Sequence, residues 1–309
     1  MRVFLAGATG VIGRPLVPAL IAEGHLLTGM TRSPEKVAAL RAAGVEPVLA
    51  DALDRAAVMS AVEQARPEAI IHQLTAIPQR IDPRTIERDF ALTDRLRSEG
   101  TKHLIAAAQA SGVRRILAQS IAFAYDPGPP GTVHGEDDPL IVSPPKQFSH
   151  SARALADLER TVLGAGGLVL RYGYFYGPHT GISRTGAMSA EVLRRRLPIL
   201  GRGTGVWSFI HIDDAARATV TALTAGAPGP YNIVDDDPAA VSEWLPRLAE
   251  ALGAKRPRRV PVLLGRLAAG DYGVAIMTRA QGASNARARA ELGWMPRYQS
   301  WREGFATAL

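Results

Sequence analysis

Three glycines near the start of the chain stand at a spacing that suits phosphate chemistry. Gly7, Gly10 and Gly13 lie in Arg2-Val3-Phe4-Leu5-Ala6-Gly7-Ala8-Thr9-Gly10-Val11-Ile12-Gly13, a G-x-x-G-x-x-G run behind an apolar segment. The first glycine permits a sharp turn after a strand. The second lets backbone approach a pyrophosphate, and the third lets a helix pack tightly on the strand. The free N–H groups and dipole at the start of that helix then face an anion. A strand pattern at 3–6 precedes the run and a helix pattern at 11–23 follows it. That context predicts a dinucleotide site built on Gly7, Thr9, Gly10, Val11, Ile12 and Gly13.

The residues after the second strand pattern, 26–30, speak to the choice of dinucleotide. An acidic residue there would bind the ribose hydroxyls and repel a 2′-phosphate. This chain has Thr31-Arg32-Ser33-Pro34-Glu35-Lys36. Arg32 offers a planar fork, Ser33 a hydroxyl, and Lys36 a charge one helical turn on. NADP is expected in preference to NAD. Asp51, just after the third strand, is placed to meet the adenine. Ala52 beside it, Leu74, Thr75 and Ala76 after the fourth strand, and Ser120 at the end of the fifth complete the expected cofactor wall.

These groups need a scaffold, and the chain alternates strand and helix patterns to supply one. Strands are expected at 46–49, 69–73, 115–119 and 168–172. Helices are expected at 34–43, with Ser33 as N-cap and Pro34 at its first position, and at 54–64, 89–111 and 149–163. Short apolar strands in a βαβ rhythm predict an α/β fold, a Rossmann-type doubly wound parallel sheet covered on both faces. Residues 125–145 are rich in Gly, Pro and Asp and read as a long loop of the kind that lines a site. The rhythm breaks after 172. A helix is expected at 186–196, a strand at 206–212, a helix at 213–225 capped by Asp213, a strand at 231–234 and a helix at 241–252, with smaller pieces to the end. The expected division is a dinucleotide-binding domain, 1–172 with 206–225 returning to it, and a smaller mixed substrate-binding domain of 173–205 and 226–309.

Composition narrows the chemistry. The chain has 309 residues, 47% hydrophobic and 21% charged, enough for a large core. It has no cysteine, which removes disulfides, thiolate metal sites and cysteine nucleophiles. The seven histidines show no metal-ligand spacing, so no metal site is expected. No apolar run approaches the roughly 20 residues of a membrane helix, and a strand pattern from residue 2 leaves no room for a targeting peptide. A cytoplasmic location follows as the expectation, with a small-molecule substrate and no membrane partner. The formal charge is +7, carried mainly by arginine. The basic runs 194–196 and 255–259 are interleaved with acidic residues and carry no nucleic-acid motif, so they read as solvated surface.

Several landmarks occur together: the opening Gly-Ala-Thr-Gly-Val-Ile-Gly, Ser120 after strand five, Leu170-Arg171 followed by Tyr176-Gly177-Pro178, Phe209-Ile210-His211-Ile212-Asp213-Asp214-Ala215, and Ala290-Glu291-Leu292-Gly293-Trp294-Met295-Pro296. The chain resembles the extended short-chain dehydrogenase/reductase superfamily, the NAD-dependent epimerase/dehydratase family, over essentially its whole length. The resemblance implies a sheet of about seven strands, a C-terminal domain closing over a substrate cleft, and a homodimer through the helices near 89–111 and 149–163. It also implies a tetrad of Tyr, Lys, Ser and Asn, in which the Tyr moves a proton and the Lys four residues later lowers its pKa. Ser120 matches the Ser. Phe148 falls at the Tyr and Ala152 at the Lys; in a register shifted by two these become His150 and Ala154. Arg97 falls at the Asn, and Tyr174 replaces a second Asn of the family pattern. The chain is therefore similar to the atypical branch, which keeps the cofactor fold without the usual acid–base pair.

Phenylalanine transfers no proton, so a redox enzyme needs another group. The candidates are Ser120 to polarise a carbonyl, Tyr125 and Tyr174 as phenols, His150 by its ordinary pKa, and Lys146 as a replacement cation. Three functions are compatible: an NADPH-dependent oxidoreductase acting on a small carbonyl, hydroxyl or unsaturated substrate with a non-standard proton donor, a nucleotide-sugar epimerase or dehydratase, and a non-catalytic NADP-binding sensor or scaffold.

Overall fold

The computed structural model describes residues 1–309 apart from Gln79, Pro83 and Pro130. Its first part runs β1 (Arg2–Ala6), α1 (Gly13–Ala22), β2 (Leu26–Thr31), α2 (Val37–Ala42), β3 (Glu46–Leu49), α3 (Arg55–Ala65), β4 (Ala69–His72), α4 (Ile86–Arg95), α5 (Thr101–Ala110), β5 (Arg115–Ile121), α6 (Ser149–Gly164) and β6 (Leu168–Tyr172). Then come α7 (Ala187–Leu193), α8 (Ile212–Thr221), β7 (Gly229–Ile233), α9 (Val241–Ala251), α10 (Val262–Thr278) and α11 (Trp301–Thr307).

The seven strands form one parallel sheet in the order β7-β6-β5-β4-β1-β2-β3. Strand β1 lies between β2 and β4, with Leu5 opposite Gly29 and Ile71. The chain winds one way from β1 to β3 and the other way from β4, and that switch point opens a crevice at the strands' carboxyl ends. Strand β1 shows why this sheet is sandwiched. Val3 and Leu5 enter the core with α1 and α8, while Phe4 and Ala6 enter the opposite core with α3 and α5. A strand buried on both faces carries no polar alternation.

Four expectations are corrected. The segment 229–233, assigned by sequence to the smaller domain, is the edge strand β7 paired with β6. The strand expected at 206–212 is two short strands, Val206–Trp207 antiparallel to Ala239–Ala240 and Phe209–His211 parallel to Tyr174–Tyr176. The long helix expected at 89–111 is broken by a π turn, Leu96–Gly100, between α4 and α5. His211, not Asp213, caps α8, its Nδ1 accepting from the Asp213 amide. Helix α10 is an addition, kinked at Gly270, where φ is +66° and ψ −177°.

A third core, separate from the two around the sheet, gathers Trp207, Phe209, Trp244, Trp301 and Phe305 with α9 and α11. Buried carboxylates fasten the C-terminal segment to it. Asp214 accepts from the amides of Arg297 and Tyr298 at 2.9 Å each, and Asp235 from that of Trp301 at 2.8 Å. No helix among the described residues is long and apolar enough to cross a membrane.

Candidate active site and cofactor cleft

The glycine turn has the geometry its spacing predicts. Gly7 holds φ +103°, a left-handed conformation, and a Cβ there would stand 2.7 Å from the Gln73 carbonyl oxygen. A Cβ at Gly13 would stand 2.4 Å from the Ala8 carbonyl oxygen, so only glycine lets α1 pack this closely. Gly10 donates to the Gly7 carbonyl at 3.0 Å and is exposed. Among the described residues, the amides of Val11 and Ile12 find no acceptor, leaving N–H groups at the α1 N-terminus for an anion. The site fits the dinucleotide.

Past β2, Arg32 and Lys36 are exposed, and among the described residues neither forms an ion pair. Ser33 occupies the N-cap position before a short 3-10 turn, Pro34–Lys36, as the sequence predicts, but its hydroxyl makes no capping hydrogen bond. Asp51 is exposed and its Oδ1 accepts from the Leu53 amide at 2.9 Å, while Asp54 caps α3. Ala52 is buried and its carbonyl accepts from His103 at 2.9 Å. The segment Leu74-Thr75-Ala76 is held from three sides. Leu74 donates its amide to His72 Nδ1 at 3.2 Å and accepts from Gln119 Nε2 at 3.3 Å, and the Ala76 amide donates to Thr93 Oγ1 at 3.0 Å. Thr75 itself is exposed.

The structure places the catalytic candidates in separate surroundings. The Ser120 hydroxyl is buried and donates to Glu159 Oε1 at 2.6 Å. Glu159 in turn holds Arg171 with two bonds of 3.0 and 2.6 Å. Arg171 donates to the Tyr125 hydroxyl at 2.8 Å, and Tyr125 donates to Asn232 Oδ1 at 2.6 Å. Burial raises the Tyr125 phenol against the pull of Arg171. Ser120 and Tyr125 therefore belong to a closed ionic network that knits β5, α6, β6 and β7 together, with both hydroxyl protons already engaged. Lys146 is exposed in the turn before α6. His150 is 61% exposed on α6 and pairs with Glu87 of α4 at 3.4 Å. Tyr174 is clamped between Phe123 and Trp207, with ring centroids 4.0 and 3.8 Å away, and burial pushes its phenol well up.

Burial separates the two registers left open by sequence. Phe148 and Ala152 are 5% and 9% exposed and share an apolar cluster with Ala124 and Leu155, whereas His150 faces solvent. In neither register does α6 carry a Tyr–Lys pair, since Phe148, Ala152 and Ala154 are apolar and buried and His150 is exposed. Tyr272 of α10, which no sequence pattern singled out, stacks on Phe148 with centroids 4.8 Å apart and planes at 23°. Burial pushes its phenol up to about 12, opposed by Arg97. Arg97, on the π turn, is 2% exposed and its Nε has no partner. Burial pulls its guanidinium down to about 10, with Asp94 and Tyr272 acting the other way. Asp94 accepts from the Ser151 hydroxyl at 2.9 Å through Oδ2 and leaves Oδ1 unpartnered. Among the described residues no cluster of carboxylates or imidazoles could hold a metal.

Residues 3–234 match the NAD dependent epimerase/dehydratase family. The chain belongs to that family. It is an enzyme, an oxidoreductase of the short-chain dehydrogenase type with a Rossmann sheet. A 3-diazoavenalumate denitrifying reductase from a Streptomyces species is 49% identical over 98% of this chain and 99% of its own. A UDP-glucose 4-epimerase from Mycolicibacterium smegmatis is 27% identical over 100% of this chain and 97% of its own. Among solved structures, the UDP-glucose 4-epimerase of Thermus thermophilus in complex with NAD superposes with a TM-score of 0.76 at 25% identity, covering 100% of this chain and 97% of that one.

Proposed function

We propose that this chain is an NADPH-dependent reductase that replaces the diazonium group of a small aromatic carboxylate with hydrogen. The observation that carries the reading is the contrast between an intact glycine cradle and an apolar Phe148–Ala152 pair where the family's proton donor is expected. Reduction of a carbonyl leaves an alkoxide that must gain a proton, the task of a Tyr–Lys pair. Replacing the nitrogen pair of a diazonium carbon by hydride releases neutral N2 and forms a neutral C–H bond. That balance needs no acid. The nicotinamide, when bound, supplies the hydride. The chain's own residues bind the nucleotide, exclude water with aromatic rings, and orient the substrate.

The same contrast disfavours the nucleotide-sugar reading, because oxidising a sugar hydroxyl needs a base that Phe148 cannot be. The similarity to the 3-diazoavenalumate denitrifying reductase, 49% identical over nearly the full length, supports the reductase. Exposed Arg32, the Ser33 hydroxyl and Lys36 support NADPH over NADH, since together they suit a 2′-phosphate. In the same reading, 173–205 and 234–309 form the substrate side of the cleft, α4 and α6 pair with a second copy, and the cysteine-free chain works in the cytoplasm.

The experiment is to supply an aromatic diazonium carboxylate with NADPH and follow cofactor oxidation and N2 release together. The expected result is one N2 per NADPH oxidised. Arg32→Ala should raise the KM for NADPH about ten- to hundredfold, the range of one charged hydrogen bond, and leave that for NADH unchanged. Oxidation of NADPH by simple ketones with no reaction of the diazo compound would overturn the reading.

A further inference from the structure

Arg97 is an unusual residue for its surroundings. Its side chain is 2% exposed, yet among the described residues no acceptor faces its guanidinium, and Nε is buried without any partner. A buried cation in native proteins is paired or hydrogen-bonded, because desolvating it alone is costly. Asp94 is the nearest carboxylate by its electrostatic influence, but it spends Oδ2 on Ser151 and forms no ion pair with Arg97. Nε of this planar donor fork is thus buried and unfilled.

Tyr272, whose phenol acts electrostatically on Arg97, belongs to an aromatic cluster. Tyr272 stacks on Phe148, and its phenol lies within the electrostatic reach of both Arg97 and Tyr174. Tyr174 continues a stack with Phe123 and Trp207 whose successive planes are within 14° of each other. Aromatic side chains stacked in near-parallel pairs suit a planar, conjugated body. A guanidinium beside them suits two oxygens in one plane.

We propose that Arg97, with Tyr272 within its electrostatic reach, is the receptor for the substrate carboxylate, and that the cleft takes planar aromatic or polyenoic acids. The inference rests on the reductase reading for the word substrate, but the binding chemistry stands on Arg97 itself. Anchoring by the carboxylate fixes the far end of a rigid conjugated molecule, which positions its reacting end without any contact to the leaving nitrogen.

The test uses trans-cinnamate, which cannot be reduced at a diazo group, and its neutral isostere cinnamamide. Both are titrated by calorimetry into the protein saturated with NADP. Wild-type protein should bind cinnamate and prefer it to cinnamamide. Arg97→Met, which keeps the volume, should weaken cinnamate about a hundredfold or more and erase the preference. Arg97→Lys should retain part of it, and Tyr272→Phe, which keeps the stack on Phe148, should weaken cinnamate severalfold. Affinity for NADPH should stay the same in all three. Three results would overturn the proposal: equal cinnamate binding by wild type and Arg97→Met, loss of NADPH rather than cinnamate in Arg97→Met, which would give the guanidinium to the nicotinamide ribose, or a Tm for ligand-free Arg97→Met several degrees below wild type, which would make the role structural. A protein that binds cinnamate through Arg97 and reduces no diazo compound separates the two readings, keeping the receptor and refuting the reaction. Diazo reduction with unchanged KM in Arg97→Met does the reverse.

Discussion

The ring of Tyr272 lies on the ring of Phe148, with centroids 4.8 Å apart and planes at 23°, joining the kinked helix α10 to the turn that opens α6. Phe148 is 5% exposed, so its loss leaves a cavity. Phe148→Ala should destabilise the fold by about 3–5 kcal/mol, and Phe148→Leu by less, as urea unfolding would show. Both should raise the KM for substrate more than they lower stability of the cofactor half. An unchanged KM in either would detach α10 from the cleft.

Ser120 separates a structural from a catalytic hydroxyl. Its proton goes to Glu159, which is already paired with Arg171 at 2.6 Å. Ser120→Ala should cost about 1 kcal/mol, one hydrogen bond, and leave kcat within about twofold of wild type. Glu159→Ala should cost about 3–5 kcal/mol, because Arg171 is left buried and uncompensated. A tenfold fall in kcat for Ser120→Ala at unchanged Tm would return that hydroxyl to the reacting atoms.

His72 makes stability depend on pH. Its Nε2 lies 2.9 Å from Thr101 Oγ1, whose own proton goes to the Arg97 carbonyl at 2.5 Å, so Nε2 carries the hydrogen. Its Nδ1 accepts from the Leu74 amide at 3.2 Å and must stay bare. Burial, and then the charge of Arg97, lowers the imidazole from 6.5 to about 4. The unfolded chain takes up this proton as pH falls through 6.5, whereas the folded chain refuses it until about 4. Stability is therefore present at neutral pH and lost between those values, by roughly 3 kcal/mol at the full shift. Unfolding free energies at pH 7 and 5 should show the slope, and His72→Gln should flatten it. An identical slope in the variant would place the titration elsewhere.

The glycine turn should divide cofactor loss from fold loss. Gly10 is exposed, and the one close neighbour of a Cβ there is the Gly7 carbonyl at 3.3 Å. Gly10→Asp should leave the Tm of the free protein within a few degrees while weakening NADPH about a hundredfold, because a carboxylate then faces the pyrophosphate. Gly13→Ala should instead lower the Tm, since its Cβ would drive into the Ala8 carbonyl at 2.4 Å. Fluorescence titration and thermal melts distinguish the two. Full NADPH affinity in Gly10→Asp would remove the nucleotide from this turn.

What the sequence by itself determined is the half of the molecule whose rules are local. Gly7 and Gly13 are readable because each meets a backbone demand a few residues long, and β1 to β6 are readable because strands buried on both faces are short apolar runs between turn residues. The absence of a Tyr–Lys pair at the start of α6 was also legible, since it holds in both registers open to the sequence, Phe148 with Ala152 and His150 with Ala154. Tertiary structure decided everything that depends on which way a side chain points and on what arrives from far along the chain. Ser120 and Tyr125 have the right chemistry in the right neighbourhood, but the strand alternation and the arrival of Glu159, Arg171 and Asn232 engage their hydroxyls. Helix α10 has no amphipathic stripe and is broken at Gly270, so no pattern announces it. Its tyrosine reaches Phe148, and Nε of Arg97 is buried without a partner among the described residues, only because packing of separate cores overrides local preference.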